Sequence, residues 1–521
     1  MTLTHDRTPS SAVPADDRRS APRPARLRAL VAVLVGLVTT GIALGQLFIG
    51  GAAGMADNGD ATRLVCRLGL VIGPGSSQQS FQSLYGPAET CPPGGGFEYR
   101  TSWRPVLRAT VWLSRQITGD QVFDMATLAA VAAVLLGVGA ALLFLALPGG
   151  TRARLPLVGL MVVAVCDIGF LAYFNSGYSD QAGILGLVWV CAGVVGLVVH
   201  RTWPWLLLMA GAVAFTGTAK TALLTVVPAV ALALLLSRRH WGRRPAESRL
   251  RIRHMGVTVT VVLVLLTAVV GATARDQGEL LSNGNKFNLL FYTILPESPH
   301  PEADLVEMGL PPELARYSGT NAWQVDTPWS DPDLAGNAQT AYSWRTYAGF
   351  FAAHPGRLWP LATRSFDSVL DARVDYLANL PGEPGGEVHL AARPSPVFWL
   401  FGHLPHGWPV PIVLLVLLVG GALGVCWARA LDAGRAARGV LLVTAAAYGV
   451  SQALVALSDG FYELAKHDVH AALATAFVLA VLVEGVLRAG VGALRRRRIG
   501  GRAATAEPAD PAEVVAAPAA G

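Results

Sequence analysis

The sequence predicts an all-α integral membrane protein with about ten transmembrane helices. Hydrophobic residues make up 52% of the 521 residues, charged residues make up only 15%, and the mean hydropathy is +0.44. A soluble protein carries about 25% charged residues. A helix that crosses a bilayer core about 30 Å thick needs roughly 20 apolar residues, and apolar runs near that length recur along the chain.

The apolar runs define the candidate spans in chain order. The first run follows a tail rich in Arg, Pro and Ser, and its length favours a spanning helix over a cleavable signal sequence. The fifth and sixth runs are short and are separated only by residues 218–221, so they form either one bent element or two helices. The predicted spans are 29–49, 125–147, 155–174, 182–199, 203–217, 221–237, 255–273, 410–428, 439–457 and 469–489.

Arginine clusters set the predicted orientation in the cell membrane. Short loops rich in Lys and Arg stay in the cytoplasm, and with ten spans every such segment falls on the N-terminal side. Both termini are therefore predicted to be cytoplasmic. The arginines concerned are Arg152, Arg154, Arg201, Arg238, Arg239, Arg243, Arg244, Arg249, Arg251, Arg253, Arg429, Arg435, Arg438, and Arg495 to Arg498.

These assignments divide the chain into tails, helices and two large extracytoplasmic loops. The first tail is predicted to be disordered because it has few apolar residues and many Pro and Arg. In chain order the segments are a disordered cytoplasmic tail at 1–27, helices 1–7 within 28–273 with the first extracytoplasmic loop at 50–124, a large extracytoplasmic loop at 274–409, helices 8–10 within 410–490, and a basic, then Ala/Pro-rich, cytoplasmic tail at 491–521.

Charge, cysteine content and motifs narrow the function classes. The net charge of +6 does not indicate a nucleic-acid partner, because the arginines sit at the ends of apolar runs rather than in a stripe with aromatics. The sequence has no P-loop, dinucleotide fingerprint or zinc motif. Cys66 and Cys91 both lie in the first loop, where an oxidising compartment allows a disulfide, but their spacing leaves the pairing open.

Ionisable residues gather at the predicted outer ends of the helices. Such groups are costly at membrane depth, at about 2.5 kcal/mol or more each at a helix centre. Their concentration on one face therefore predicts one polar cavity. The candidate site residues are Asp57, Asp60 and Arg63 after the first span, Tyr178 and Asp180 before the fourth, Lys220 between the fifth and sixth, and Asp459, Glu463, Lys466 and His467 before the last.

Each group also has a plain structural interpretation. Asp57 and Asp60 suit a general base or a carboxylate pair that holds a divalent cation, but Asp-Asn-Gly is also turn chemistry. Arg63 suits a phosphate clamp or an ion pair with Asp60 three residues earlier. Whether a metal is involved stays open.

The remaining cations have similar alternatives. Lys220 has no acidic neighbour in sequence, so it either binds an anionic group or extends to the membrane interface. Lys466 and His467 form either a cationic wall for a phosphate, with Asp459 or Glu463 as orienting acids, or local pairs with Glu463 at helical spacing.

These segments resemble the GT-C-type membrane glycosyltransferases. More narrowly, they resemble the actinobacterial glycan-biosynthesis hexose transferase-like membrane proteins. The sequence departs from the pattern at Ala61, Asp180, Thr221-Ala222 and Asp468. The resemblance rests on Ala56-Asp57-Asn58-Gly59-Asp60 with Arg63, Tyr173-Phe174-Asn175-Ser176 with Tyr178-Ser179-Asp180, Lys220, Asp459-Gly460 with Glu463-Leu464 and Lys466-His467, and Leu305 with Gly309-Leu310-Pro311.

The resemblance implies an inverting glycosyltransferase that acts on the extracytoplasmic face. It implies a polyprenyl-phosphate sugar as donor, a cell-envelope glycan or lipid as acceptor, and a carboxylate of the first outer loop as the base. The cations above would then bind the donor phosphate. Two other classes stay open: a transporter or flippase for a lipid-linked glycan, for which broken helices would be typical, and a non-catalytic partner in envelope assembly.

Overall fold

The computed structural model of the chain describes residues 23–56, 60–72, 84–87, 99–119, 121–240, 252–324, 343–374 and 393–504. Helices dominate these ranges. In chain order they are α1 (Arg23–Phe48), α2 (Asp60–Val65), α3 (Trp103–Thr118), α4 (Met125–Ala146), α5 (Thr151–Val165), α6 (Ile168–Leu171), α7 (Asp180–His200), α8 (Trp203–Gly217), α9 (Val226–Leu236), α10 (Met255–Phe287), α11 (Pro301–Glu307), α12 (Trp344–Ala353), α13 (Pro355–Ser368), α14 (Pro396–Phe401), α15 (Ile412–Ala428), α16 (Ala433–Ala456), α17 (Leu464–His467) and α18 (Val469–Ala504).

The predicted all-α polytopic membrane fold is confirmed. Among the described residues, seven helices are long and apolar enough to cross a membrane, and α5 and α6 reach that length and hydropathy only together, with a bend of 58° between them. The helices α8 and α15 are apolar but shorter. These elements correspond one to one with the ten predicted segments. The short fifth and sixth runs are two helices, because the chain breaks at Thr218 and continues through a 3₁₀ turn over Thr221–Thr225 into α9.

Three helices extend past the predicted boundaries. The first, α1, begins at Arg23, within the segment predicted to be a disordered tail. The seventh span, α10, continues to Phe287, and α18 continues to Ala504, within the predicted C-terminal tail. Hydropathy marks only the part of a helix that lies in lipid, whereas backbone hydrogen bonds continue into polar sequence that favours a helix.

Small residues bring the helices together. A Cβ on Gly137 of α4 would lie 2.5 Å from the Gly36 carbonyl oxygen of α1, and one on Gly439 of α16 would lie 2.0 Å from the Ala428 nitrogen of α15. Glycine is therefore required at both crossings, as in other packed membrane helices. At the end of the bundle that carries the arginine-rich connections, Arg438 donates to both oxygens of Glu484 at 2.8 and 2.7 Å.

The opposite end carries the two long connections and is called the loop end here. A small antiparallel sheet, which the sequence analysis did not predict, lies in the first connection; its strands are β1 (Leu70–Ile72), β2 (Leu84–Pro87) and β3 (Phe123–Asp124), paired in that order. Asp124 ends β3 and caps α4 by accepting from the Ala126 N–H at 2.9 Å. The sheet thus fixes the start of the second span.

The second long connection has a hydrophobic core of its own. Phe287, Leu290, Phe291, Leu305 and Phe350 are among its buried residues. The core begins where α10 turns into a π-helix over Asn288–Ile294. π-helical turns are rare in proteins, and those that occur are often at functional sites. The long connection is therefore a packed unit that continues directly from the seventh span.

Disulfide bonding is partly defined by the described residues. Cys66 is disulfide-bonded, while Cys166, Cys191 and Cys426 are free. Cys91, the other cysteine of the first loop, lies outside the described residues, so its pairing with Cys66 stays open.

Candidate functional site

Segments far apart in sequence meet at the loop end. The Tyr178 hydroxyl donates to the Ala56 carbonyl at 2.7 Å, and the Asn175 amide donates to the Ala53 carbonyl at 3.0 Å. A Cβ on Gly177 would lie 2.1 Å from Cβ of Ala61, so only glycine lets the short connection between α6 and α7 pack this closely against α2. These contacts fix the segment that ends at Ala56. The next residue in sequence, Asp57, lies outside the described residues.

Lys466 is the centre of the site. Its Nζ donates to Asp60 Oδ2 at 2.9 Å and to Glu463 Oε2 at 3.0 Å, and it lies 4.4 Å from the centroid of the Tyr178 ring. The side chain is only 1% exposed. The pKa of Lys466 is raised well above its usual value: burial opposes the charge, but the nearby carboxylates outweigh that effect. Lys466 is therefore a permanent buried cation.

Backbone geometry positions this lysine. Gly460 adopts φ +64°, and a Cβ there would lie 2.2 Å from Thr293 Oγ1 of the π-helix. Glu463 adopts φ +48°, a conformation that non-glycine residues rarely occupy and that is concentrated at functional sites. These two residues turn the chain just before the short helix α17, so that the Glu463 carboxylate accepts from Lys466 within that helix.

Asp60 is held by two cations. It opens α2, where the helix dipole favours a carboxylate, and Arg63 lies 3.2 Å from its Oδ1. Burial alone would raise the pKa of Asp60, but Lys466, Arg63 and Lys220 lower it far below its usual range. Asp60 is therefore ionised at neutral pH. The Arg63 guanidinium also lies over the Trp323 ring, 5.9 Å from its centroid.

A second ion pair lies beside the first. Lys220 Nζ donates to both oxygens of Asp180, at 3.0 and 3.2 Å, and His470 Nε2 lies 3.2 Å from Asp180 Oδ1. Asp180 is 3% exposed and Lys220 is 19% exposed. Lys220 also acts electrostatically on Asp60, so the two ion pairs belong to one charged network.

A third polar pair lies at the π-helix. Asp459 Oδ2 lies 3.1 Å from His467 Nε2, and its Oδ1 accepts from the Asn288 amide at 2.8 Å. Burial raises the pKa of Tyr462 to about 12, and the charges of Glu463 and Asp459 both act on that hydroxyl. The Asp459 pair is therefore close to the network around Lys466.

The structure brings most of the predicted site residues together, although it pairs some of them differently. The local pairs of Arg63 with Asp60 and of Lys466 with Glu463 are present. His467, in contrast, pairs with Asp459 rather than with Glu463. Lys220 and Lys466 were predicted to bind a donor phosphate, but both are paired with carboxylates here. Of these two, Lys466 is sealed from solvent and Lys220 keeps a small exposed fraction.

Three contacting residues were not predicted to belong to the site, although Trp323 was considered as a core, interface or sugar-stacking residue of the long loop. His470 touches Asp180, Asn288 holds Asp459, and Trp323 covers Arg63. His470 lies three residues after His467, across the junction of α17 and α18, and that spacing was the one available signal for it. Asn288 and Trp323 sit in loop sequence without a distinguishing pattern, so only the fold reveals their role.

Carboxylates in the described part of the chain are not arranged as a metal centre. No group of three or more His, Cys, Asp or Glu side chains there has the geometry to hold a metal ion. Asp60, one of the two predicted ligands of a divalent cation, faces a cation on each oxygen instead. Asp57, the other, lies outside the described residues, so the metal question rests on experiment.

We expect Lys220→Ala to destabilise the protein. Removing one partner of a buried ion pair typically costs about 3–5 kcal/mol, and among its contacts with described residues Asp180 would keep the one with His470. The double variant Lys220→Met with Asp180→Asn should regain much of the apparent melting temperature, because no buried charge remains unpaired. If Lys220→Ala melts like the wild type but loses affinity for a polyprenyl-phosphate sugar, the ion pair adds little stability and Lys220 serves the phosphate alone, as the sequence predicted.

Known proteins were compared with the chain. The family profile described as the YfdI N-terminal transmembrane domain matches residues 19–504. No curated protein matches the chain. The matched range includes all ten spans and every residue of the candidate site.

Proposed function

The chain belongs to the family of the YfdI N-terminal transmembrane domain, and we propose that it is an inverting glycosyltransferase of the cell membrane. The donor is a polyprenyl-phosphate sugar and the acceptor is a cell-envelope glycan or lipid. Transfer takes place on the extracytoplasmic face, and both termini are cytoplasmic. A membrane domain is well suited to this reaction, because a donor anchored in the bilayer must reach its enzyme from the lipid phase.

The observation that carries the proposal is the charged network at the loop end. Asp60, Asp180 and Glu463 come from three separate connections, and Lys466 and Lys220 join them. Ionisable groups at the ends of membrane helices are costly and mark functional sites by default. Asp60 of the network also follows Asp57, the predicted base, by three residues in sequence.

The chemistry follows from the charge of each group. In an inverting transfer the acceptor oxygen forms a bond to the anomeric carbon as the bond from that carbon to the donor phosphate breaks. A base takes the acceptor proton in the same step. Asp60 is a poor base because its pKa is so low, so Asp57 takes the proton and Asp60 positions the loop. Arg63, His467 and Lys220 retain exposed surface and stabilise the departing phosphate.

One observation favours a transporter as the second candidate. The third span is broken between α5 and α6 with a bend of 58°, and broken helices are typical of transporter sites. However, Asp167 at the break accepts from the backbone N–H groups of Gly169 and Val397 and from the Ser395 hydroxyl. The polar groups at the break therefore have partners within the protein and do not require a transported ligand. For this reason we prefer the transferase to the transporter.

Transfer by the purified protein tests the proposal. The full chain in lipid nanodiscs is incubated with a panel of polyprenyl-phosphate hexoses and pentoses and with cell-envelope glycan fractions, and glycosylated acceptor is measured by mass spectrometry. Sugar transfer to an acceptor supports the proposed activity. Consumption of no donor in the panel, or movement of intact lipid-linked sugar across liposomes without transfer, would contradict it.

Cysteine labelling tests the orientation. Cys166, Cys191 and Cys426 are replaced by alanine, because they are free, and single cysteines are placed at the exposed positions Glu302 and Arg152, which lie at opposite ends of the bundle. We expect Glu302→Cys to react with an impermeant maleimide in intact cells and Arg152→Cys to react only after lysis. The reverse labelling pattern would invert the proposed topology.

A further inference from the structure

We propose that a cavity beside Glu463 binds an uncharged sugar of the acceptor, an inference that rests on the proposed glycosyltransferase function. The cavity has a volume of about 510 Å³, within the range of roughly 300–1,000 Å³ that is usual for small-ligand sites. Its wall includes Tyr292, Arg364, Asp367, Asp371, Tyr462 and Glu463. The residues come from the π-helix, from α13 and its end, and from the connection that precedes the last span.

The charges in the cavity select against an anionic ligand. Among the described residues three carboxylates line it, those of Asp367, Asp371 and Glu463, against one guanidinium, that of Arg364. That guanidinium is already engaged, because Arg364 donates to Glu297 at 3.0 Å and lies 3.9 Å from the centroid of the Phe461 ring. A phosphate would meet net repulsion here, whereas sugar hydroxyls are donors that carboxylates accept.

Asp367 and Asp371 keep capacity to accept hydrogen bonds. Within the described ranges Asp367 Oδ1 is buried and has no hydrogen-bond partner, while its Oδ2 accepts from the Gly407 N–H at 3.0 Å. Asp371 is 65% exposed, and its one described ion-pair partner, His406, is 3.5 Å away. Both carboxylates line the cavity, one from α13 and one from the turn after it, and each can accept from a sugar hydroxyl.

Aromatic side chains supply the apolar part of the cavity. The rings of Tyr292 and Tyr462 meet edge to face, with centroids 6.1 Å apart and an interplanar angle of 82°. A sugar ring has C–H faces as well as hydroxyl edges, so an aromatic corner beside carboxylates contacts both. A polyol ligand requires a cavity, apolar contact surface and hydrogen-bond acceptors with remaining capacity, and this site combines all three.

The position of the cavity assigns it to the acceptor rather than to the donor phosphate. Glu463 lines the cavity and also accepts from Lys466, which in turn contacts Asp60. One side chain therefore separates the cavity from the loop that holds the predicted base. A sugar bound in the cavity would present a hydroxyl toward that loop, while the phosphate stays on the side of Arg63 and Lys220.

Ligand-observed NMR tests this site. The full chain in nanodiscs is mixed with neutral gluco-, galacto-, manno- and arabino-oligosaccharides and, separately, with glucose 1-phosphate and mannose 1-phosphate, and saturation transfer from protein to sugar is titrated. At least one neutral sugar should bind more tightly than either phosphate. Asp367→Asn and Asp371→Asn should each weaken that binding by about tenfold or more, because a hydrogen bond to a charged acceptor is lost.

The controls separate this inference from the proposed function. Glu302→Gln removes an exposed carboxylate of the same long connection, outside the cavity, and should leave sugar binding unchanged. Melting temperatures near that of the wild type establish that the Asp variants are folded. Binding of no neutral sugar, tighter binding of a sugar phosphate, or unchanged binding in both Asp variants would overturn the site, even if transfer from polyprenyl-phosphate sugars occurs. Neutral sugar binding that requires Asp371, without any transfer, would retain the site and reject the transferase.

Discussion

Asp57→Asn is expected to lower the rate of sugar transfer by about 10²–10⁴-fold, the usual loss when a positioned general base is removed. Asparagine keeps the shape of the side chain but does not accept the acceptor's proton. Folding and donor binding should stay near those of the wild type. The reason to expect the base at Asp57 is that its neighbour in the motif, Asp60, is held as an ion by Lys466 and Arg63 and is too weak a base.

Asp60→Asn is the matched comparison. It removes a counter-ion of buried Lys466, so it should lower the melting temperature as well as the rate, whereas Asp57→Asn should lower the rate alone. Single-turnover rates and donor affinity are measured for both, with and without EDTA and added Mg²⁺ or Mn²⁺. A rate of more than about a tenth of wild type in Asp57→Asn is incompatible with a general base there. Asp60, Asp180 and Glu463 would then be tested in that order. Rescue of Asp60→Asn by metal would assign Asp60 to a metal site instead.

Hydropathy predicted the apolar helices because it reports directly on lipid, whereas the orientation inferred from arginine placement stays a prediction. Only the helix ends differed, since α1, α10 and α18 run beyond their apolar parts. The small sheet in the first connection was not predicted, because strands as short as Leu70–Ile72 leave no readable alternation of polar and apolar residues. Local pattern thus predicts the part of the chain that the bilayer constrains, and predicts the loops poorly.

The candidate site was predicted as a set of residues but not as a set of pairs. The pair of Arg63 with Asp60 follows from a spacing of three residues, and this kind of contact is visible in sequence. Lys220 with Asp180 and Lys466 with Asp60 join residues that are 40 and 406 positions apart. Such partners depend on how the connections fold over one another. For that reason the cations predicted for a phosphate are found neutralised by carboxylates.

Lys466→Met is expected to cause the largest loss of stability among single changes at the site. The side chain is 1% exposed and lies between Asp60 and Glu463, so its removal leaves two neighbouring carboxylates without their shared cation. Breaking a buried ion pair by removing one partner typically costs about 3–5 kcal/mol. Methionine keeps an unbranched apolar side chain of similar length, so the loss reports charge more than packing. The apparent melting temperature of the full chain in nanodiscs measures the effect.

Arg63→Met is the control, because Arg63 also pairs with Asp60 but is 24% exposed. Partly solvated pairs contribute about 0–1 kcal/mol, so this variant should melt much closer to the wild type. Adding Asp60→Asn to Lys466→Met should restore part of the stability, since one of the two unpaired carboxylates is then neutral. Adding Glu302→Gln, which is remote from Lys466, should restore nothing. If Lys466→Met and Arg63→Met melt alike, or if Asp60→Asn gives no recovery, Lys466 is not the cation that holds the first and last connections together.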